Sequence, residues 1–227
     1  MRFTRFTLTI SATIALLLAP AVRAAENAEA AKAAHDASEA AKNKDWMKAV
    51  EGFKRATEAD HKWAPNYFAA LVQRGAAYRE QGKFPEAIAD FTEAIKIKPD
   101  DADTYERRAY VYIQLKDYDK ALADYTDSLK RDPKEVRVYL LRSYLYELKG
   151  DAKNGIGDCD AILKLDPRNQ EAAARKARLQ AKLNAPPPAP TLPPGPIKNP
   201  NLPPQSGPAA QPNVPPTSPT GTPVKKP

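Results

Sequence analysis

Two histidines, one cysteine and a recurring set of arginines and aspartates are the residues with which this 227-residue chain could do chemistry. His35 and His61 stand alone, with no cysteine, second histidine or paired acids at the spacing a zinc site needs, so metal ligation is not expected. Cys159 has no partner for an intramolecular disulfide. It falls at a position that is aromatic one and two internal repeats earlier, and there a thiol serves as a small buried hydrophobe rather than a nucleophile. No glycine-rich phosphate loop, nucleophile–base pairing or convergent carboxylate pair is visible, so no enzyme, cofactor or small-molecule substrate is expected. The arginines and aspartates behave differently. Arg74, Arg108 and Arg142 are spaced by 34 residues, and so are Asp90, Asp124 and Asp158. That recurrence predicts a ladder of ion pairs between helices, with a structural role, because a guanidinium and a carboxylate meet through two parallel hydrogen bonds.

The same period governs the elements that must carry these pairs. Pro99, Pro133 and Pro167 recur at 34, as do Tyr78, Tyr112 and Tyr146, while Gly75, Ala109 and Ser143 form a column that is always small. Phe84 aligns with Tyr118, Ala87 with Ala121, and Phe91 with Tyr125. Within one period, apolar residues fall at helical spacing in two blocks, for example 71–81 and 85–96. Gly82 and Gly150 sit between blocks, where a helix must stop and the chain must turn, and the prolines end the second helix of each pair. Each period is therefore a helix hairpin with an apolar face that only a neighbouring hairpin can cover.

The columns Gly75, Tyr78, Gly82, Phe84, Ala87, Phe91, Ala94 and Pro99, and again Tyr112, Tyr118, Ala121, Tyr125, Ser128 and Pro133, resemble the tetratricopeptide repeat. A further repeat keeps Tyr146, Gly150 and Pro167 but has Gly155, Cys159 and Ile162 where alanine, an aromatic and a small residue are usual. An earlier degenerate repeat carries Ala37, Trp46, Ala49, Phe53 and Ala56, with four extra residues expected near His61–Ala64. Asn169 to Asn184 reads as a capping helix with Ala173, Ala177 and Leu183 inward. Gly155 and Gly157 lie inside a helix, at roughly 1 kcal/mol each relative to alanine, so the last repeat should be the softest. The resemblance implies an all-α, right-handed superhelical solenoid of about four repeats over residues 25–184.

In that family the first helix of each pair lines a concave groove that takes peptide segments of partner proteins. Helical spacing places Ser38 and Lys42 on this face in the first repeat, and Val72, Ala76 and Arg79 in the second. Asp103, Glu106, Tyr110 and Ile113 follow in the third, and Arg137, Leu140, Tyr144 and Glu147 in the fourth. Tyr110 and Tyr144, one period apart, are the expected anchors, because aromatics dominate contact energy. The lysine and asparagine clamp that holds chaperone C-termini in some relatives is not matched: Ser38, Ala76, Glu106 and Tyr110 stand on that face instead.

The chain's ends differ from its body. The net charge of +7 includes Arg2, Arg5 and Arg23 near the start and Lys198, Lys225 and Lys226 near the end, and removing those six leaves +1. A body so nearly balanced offers no basic face for nucleic acid. Residues 1–24 read as a secretory signal, with basic Arg2 and Arg5, an apolar stretch from Leu8 to Ala19, and Val22-Arg23-Ala24 for cleavage after Ala24. That stretch falls short of the ~20 residues that span a bilayer, so the cleaved protein is not expected to span a membrane. The pattern resembles a bacterial Sec signal and implies release into the periplasm of a Gram-negative cell. Residues 185–227 hold 17 of the 23 prolines and are expected to be disordered. The expected function is a non-enzymatic scaffold of the cell envelope that binds other proteins in the concave groove. The alternative is a structural tether acting mainly through the proline-rich tail.

Overall fold

The computed structural model describes residues 6–185. The basic start of the expected export signal and the proline-rich tail lie outside the described residues. Within them the chain forms nine α-helices, α1 (Phe6–Lys42), α2 (Trp46–Ala59), α3 (Ala64–Glu80), α4 (Phe84–Ile97), α5 (Ala102–Gln114), α6 (Tyr118–Arg131), α7 (Val136–Leu148), α8 (Ala152–Leu165) and α9 (Gln170–Asn184), with no strand. Each helix packs chiefly on the one before and the one after it. The arrangement is a solenoid of four hairpins, α1–α2 through α7–α8, followed by α9.

Local sequence sets the helix ends. Asp45, Asp101, Asp117, Asp151 and Asn169 cap α2, α5, α6, α8 and α9, each side chain accepting the backbone N–H three residues on. Such a cap satisfies one of the donors a helix start leaves free, and contributes about 1 kcal/mol. The turn inside each hairpin passes through the left-handed region at Lys44, Gly82, Lys116 and Gly150, with φ of 57°, 73°, 59° and 75°. Glycine occupies this position at no steric cost in two hairpins, and lysine holds it under strain in the other two. The four-residue excess falls in helix length. α3 has 17 residues where α5 and α7 have 13, and its extra turn lies at its start, behind the 3₁₀ turn His61–Trp63.

The repeating columns form the core. Ala49, Ala87 and Ala121 are fully buried, as are Phe91, Tyr125 and Cys159, and Ala56, Ala94, Ser128 and Ile162 lie beside them. In the weakest hairpin two departures compensate each other: Cys159 is smaller than the aromatic it replaces, and Ile162 is larger than the small residue it replaces. Burial pushes the Cys159 thiol up, as befits a hydrophobe and not a nucleophile. Gly155 has a packing role as well. A Cβ there would stand 2.8 Å from Leu179 Cδ1, so its absence lets α9 approach α8.

The ion-pair ladder is present in full. Arg74 donates through Nε and Nη2 to Asp90 at 2.8 and 2.7 Å, Arg108 to Asp124 at 2.8 and 2.7 Å, and Arg142 to Asp158 at 2.9 and 2.6 Å. Arg108 and Arg142 also donate through Nη1 to Thr92 and Thr126 on the preceding hairpin, at 2.9 and 3.0 Å. Each of these guanidiniums thus joins three helices. The last rung is a variant: Lys176, 34 residues after Arg142, pairs at 2.6 Å with Asp160, 34 residues after Thr126.

The inward face of α9 differs from the expectation. Ala173, Ala177 and Leu183 are exposed, and Ala172, Arg175 and Leu179 are buried. The cause is the end of the repeat. Ala177 continues the small column of Gly75, Ala109 and Ser143, which faces the second helix of its own hairpin, and no such helix follows α9 within the described residues. Ala172 and Leu179 continue the columns of Val138 and Leu145, which face the preceding hairpin, so extending the 34-residue period one step further would have found them.

Candidate protein-interaction face

Of the thirteen residues expected on the concave face, the structure brings five together. Arg79 from the end of α3, Asp103, Glu106 and Tyr110 from α5, and Arg137 from the start of α7 line one hollow of about 280 Å³, with Arg107 as the sixth wall. Three successive first helices contribute, Arg79 from the last turn of α3 and Asp103 and Arg137 from the first turns of α5 and α7. Arg107 escaped the helical-spacing argument. It lies one residue past Glu106 and is exposed, and its long side chain still lines the hollow.

Electrostatics divide the hollow into a committed half and an open half. Arg137 grips Glu106 with both terminal nitrogens, at 2.6 and 2.7 Å, although its own side chain is 64% exposed. The Glu106 side chain is only 12% exposed, and burial pushes its carboxyl up against the downward pull of Arg137. Arg79 lies over the Tyr110 ring at 5.5 Å and reaches Glu80 at 3.5 Å, outside the hollow. Among the described residues Arg107 forms no ion pair. Behind Glu106 lies the Tyr125 hydroxyl, buried and without a hydrogen-bond partner among the described residues, and burial raises its pKa. Phe53 and Phe91 fill the same column without a hydroxyl, so packing alone does not call for this one.

The other expected residues do not join this cluster. Tyr144 is exposed to the same degree as Tyr110, at 46%, one hairpin further on, and the guanidinium of Arg175 lies over its ring at 5.7 Å. Glu147 is taken up by α9: Lys182 reaches it at 2.9 Å, Arg178 at 3.4 Å and Arg175 at 3.9 Å. The Lys182 hydrogen bond, with that of Arg178 behind it, holds the Glu147 carboxyl below its ordinary range. Val72, Ile113 and Leu140 are half-buried and pack against the core. Ser38 turns its hydroxyl to the Ala34 carbonyl at 2.8 Å, Lys42 pairs with Glu39 at 2.6 Å, and Ala76 is half-buried. The two histidines lie far apart in the chain, exposed on α1 and in the 3₁₀ turn. Among the described residues no helix is long and apolar enough to cross a membrane.

Comparison with known proteins agrees with the repeat fold. Residues 75–116 match the family described as TPR repeat, and residues 102–135 match Tetratricopeptide repeat, so the chain carries tetratricopeptide repeats there. No curated protein matches the sequence. A tetratricopeptide repeat protein from Parabacteroides merdae has a similar solved structure, 25% identical, with a TM-score of 0.53 over 68% of this chain and 60% of that one. MamA protein shares the fold at 14% identity, with a TM-score of 0.51 over 68% of this chain and 82% of its own. The first TPR of Spaghetti (RPAP3), bound to HSP90 peptide SRMEEVD, is 24% identical over 52% of this chain and 94% of its own, with a TM-score of 0.47.

Proposed function

We propose that the chain is a non-enzymatic scaffold that works in the periplasm of a Gram-negative bacterium and binds a segment of a partner protein along its concave face. The repeats themselves support a protein-interaction module. The hollow beside Tyr110 carries the finer reading. It presents a half-exposed aromatic ring next to two guanidiniums, Arg79 and Arg107, that are not tied to an acid inside it. Such a site suits a segment with an acidic side chain flanked by an apolar residue. The carboxylate lies between the arginines, and the apolar neighbour covers the open face of Tyr110. Tyr144, one period away, offers a second aromatic surface to the same segment. For export, the support is the basic–apolar–small pattern of residues 1–24.

The test is a set of ten-residue peptides, amidated at the C-terminus so that no terminal carboxylate contributes, with the pattern apolar–acidic–acidic–apolar at the centre. Binding is read by fluorescence anisotropy at low and high salt. The acidic peptides should bind, and their glutamine counterparts should lose about tenfold, the loss of one charge-assisted contact. Tyr110→Ala should weaken binding about thirtyfold, as an aromatic hot spot does. Equal binding of acidic and neutral peptides would remove the arginines' role, and binding untouched by Tyr110→Ala would place the site elsewhere. Binding that needs only residues 185–227 would favour the tether reading, which rests on the concentration of proline there.

A further inference from the structure

The ladder has one irregular rung. Arg108 and Arg142 place their third nitrogen, Nη1, on a threonine hydroxyl of the preceding hairpin. Arg74 meets no threonine, because the matching position on α2 is Lys54. Its Nη1 faces the thioether sulfur of Met47 at 3.8 Å, and the Tyr78 hydroxyl donates to the same sulfur at 2.9 Å. A thioether is a weak acceptor, so two good donors converge on a poor partner. Met47 is also 57% exposed, at the start of α2, where an oxidant can reach it.

We infer that Met47 is an oxidation site whose sulfoxide is received by Arg74 and Tyr78, so that oxidation tightens the joint between the first two hairpins instead of loosening it. The reaction needs a peroxide. A sulfur lone pair attacks one peroxide oxygen, the O–O bond breaks, and the sulfur gains that oxygen in a two-electron oxidation. The departing hydroxide takes up the proton of the transferred oxygen and leaves as water. The geometry suits the product better than the reactant. An S=O bond of about 1.5 Å and an N–H···O distance of about 2.8 Å, meeting at about 120° at the oxygen, span close to 3.8 Å from sulfur to nitrogen. That is the separation already held between Met47 Sδ and Arg74 Nη1, while the Tyr78 hydroxyl, at 2.9 Å from the sulfur, draws back by about 0.8 Å to meet the same oxygen. The sulfoxide oxygen takes the place that the threonine hydroxyls hold in the next two rungs, beside a full positive charge. Oxidised methionine ordinarily disrupts packing because a polar group enters an apolar site; here the added oxygen enters a site already lined with donors.

Met1 and Met47 are the two methionines of the chain, so peptide mass mapping assigns the product without ambiguity. The full chain is treated with hydrogen peroxide, the gain of about 16 Da is located, and thermal melting is compared before and after. The expected result is oxidation of Met47 and a melting temperature higher by about 2–4 °C. Met47→Leu should show no peroxide-dependent shift. Tyr78→Phe, which keeps the ring and removes one donor, should show a smaller rise than the parent. A thioether that survives a peroxide dose sufficient for free methionine would overturn the inference. So would oxidised protein that melts at the same temperature or lower, or an equal shift in Met47→Leu.

Discussion

Replacing Asp124 with asparagine keeps the size of the side chain and removes the charge that the middle rung depends on. Arg108 would lose one of its two short bonds and face an amide N–H₂ in place of an acceptor. The Asp124 side chain is 5% exposed and that of Arg108 is 17% exposed, so the stranded guanidinium has little recourse to water. Both partners are pushed up, which favours the charged form of Arg108 and disfavours that of Asp124. The Asp124 hydrogen bond makes Arg108 harder to deprotonate, while burial pushes the Asp124 carboxyl up. The paired short bonds decide in favour of an ionised pair. Removing one member of a buried pair costs about 3–5 kcal/mol, and the remaining bond to Thr92 places this case near 3. At about 2–4 °C per kcal/mol for a domain of this size, the melting temperature should fall by about 6–12 °C. Urea unfolding followed by far-ultraviolet circular dichroism measures the loss directly. In the double variant Arg108→Gln, Asp124→Asn no charge is stranded, so it should be no less stable than Asp124→Asn alone. As a surface control, Lys130→Ala removes a pair with Asp127 in which both side chains are well exposed, and should cost at most about 0.5 kcal/mol. A loss below about 0.5 kcal/mol for Asp124→Asn, with the two single effects simply adding, would refute the ladder as a source of stability.

Other perturbations test separate features. Lys116→Gly should stabilise by about 0.5–1 kcal/mol in the same unfolding assay, because it relieves a positive φ that Gly82 and Gly150 adopt freely. Gly157→Ala should add about 1 kcal/mol, since nothing lies within 4 Å of the new methyl and alanine favours the helix. Gly52→Ala should do the reverse, costing about 1–3 kcal/mol, because its Cβ would meet Ala37 Cβ at 2.7 Å and the Ala33 carbonyl at 3.0 Å. Docking of α9 should be acid-sensitive. Glu147 has a lowered pKa in the folded chain, so its contribution is present above the unfolded value near ~4.3 and is lost as pH falls through the folded value. Protection of the α9 amides relative to their intrinsic exchange should fall in that window, and Glu147→Gln should abolish this pH dependence; protection unchanged down to pH ~3 would show that the three cations do not hold the helix.

Much of the solenoid was legible because its interactions are local and repeat. An arginine and an aspartate 16 residues apart lie on facing helices of one hairpin, so a recurrence at 34 reports a real pair each time. The alanine, aromatic and small columns and the turn glycines follow from the same short-range geometry, whereas the capping aspartates appear only with the helix ends of the structure. Lys116 lies one period after Gly82 and one before Gly150, so the period marks its turn position, but its residue type gives no sign of the positive φ it adopts there.

What the sequence could not determine lies between hairpins and at the end of the row. Helical spacing put thirteen residues on one face, but the packing of α3, α5 and α7 brought together only Arg79, Asp103, Glu106, Tyr110 and Arg137, and added Arg107. The end of the repeat exposed Ala177, which a second helix would have covered, and gave Glu147 to three cations of α9. Met47 became the second hydrogen-bond partner of Arg74 only through the approach of α2 to α3. A periodic sequence specifies what every unit does alike. The relative placement of units, and whatever occurs where the series stops, is settled by packing across distances that no spacing in the chain encodes.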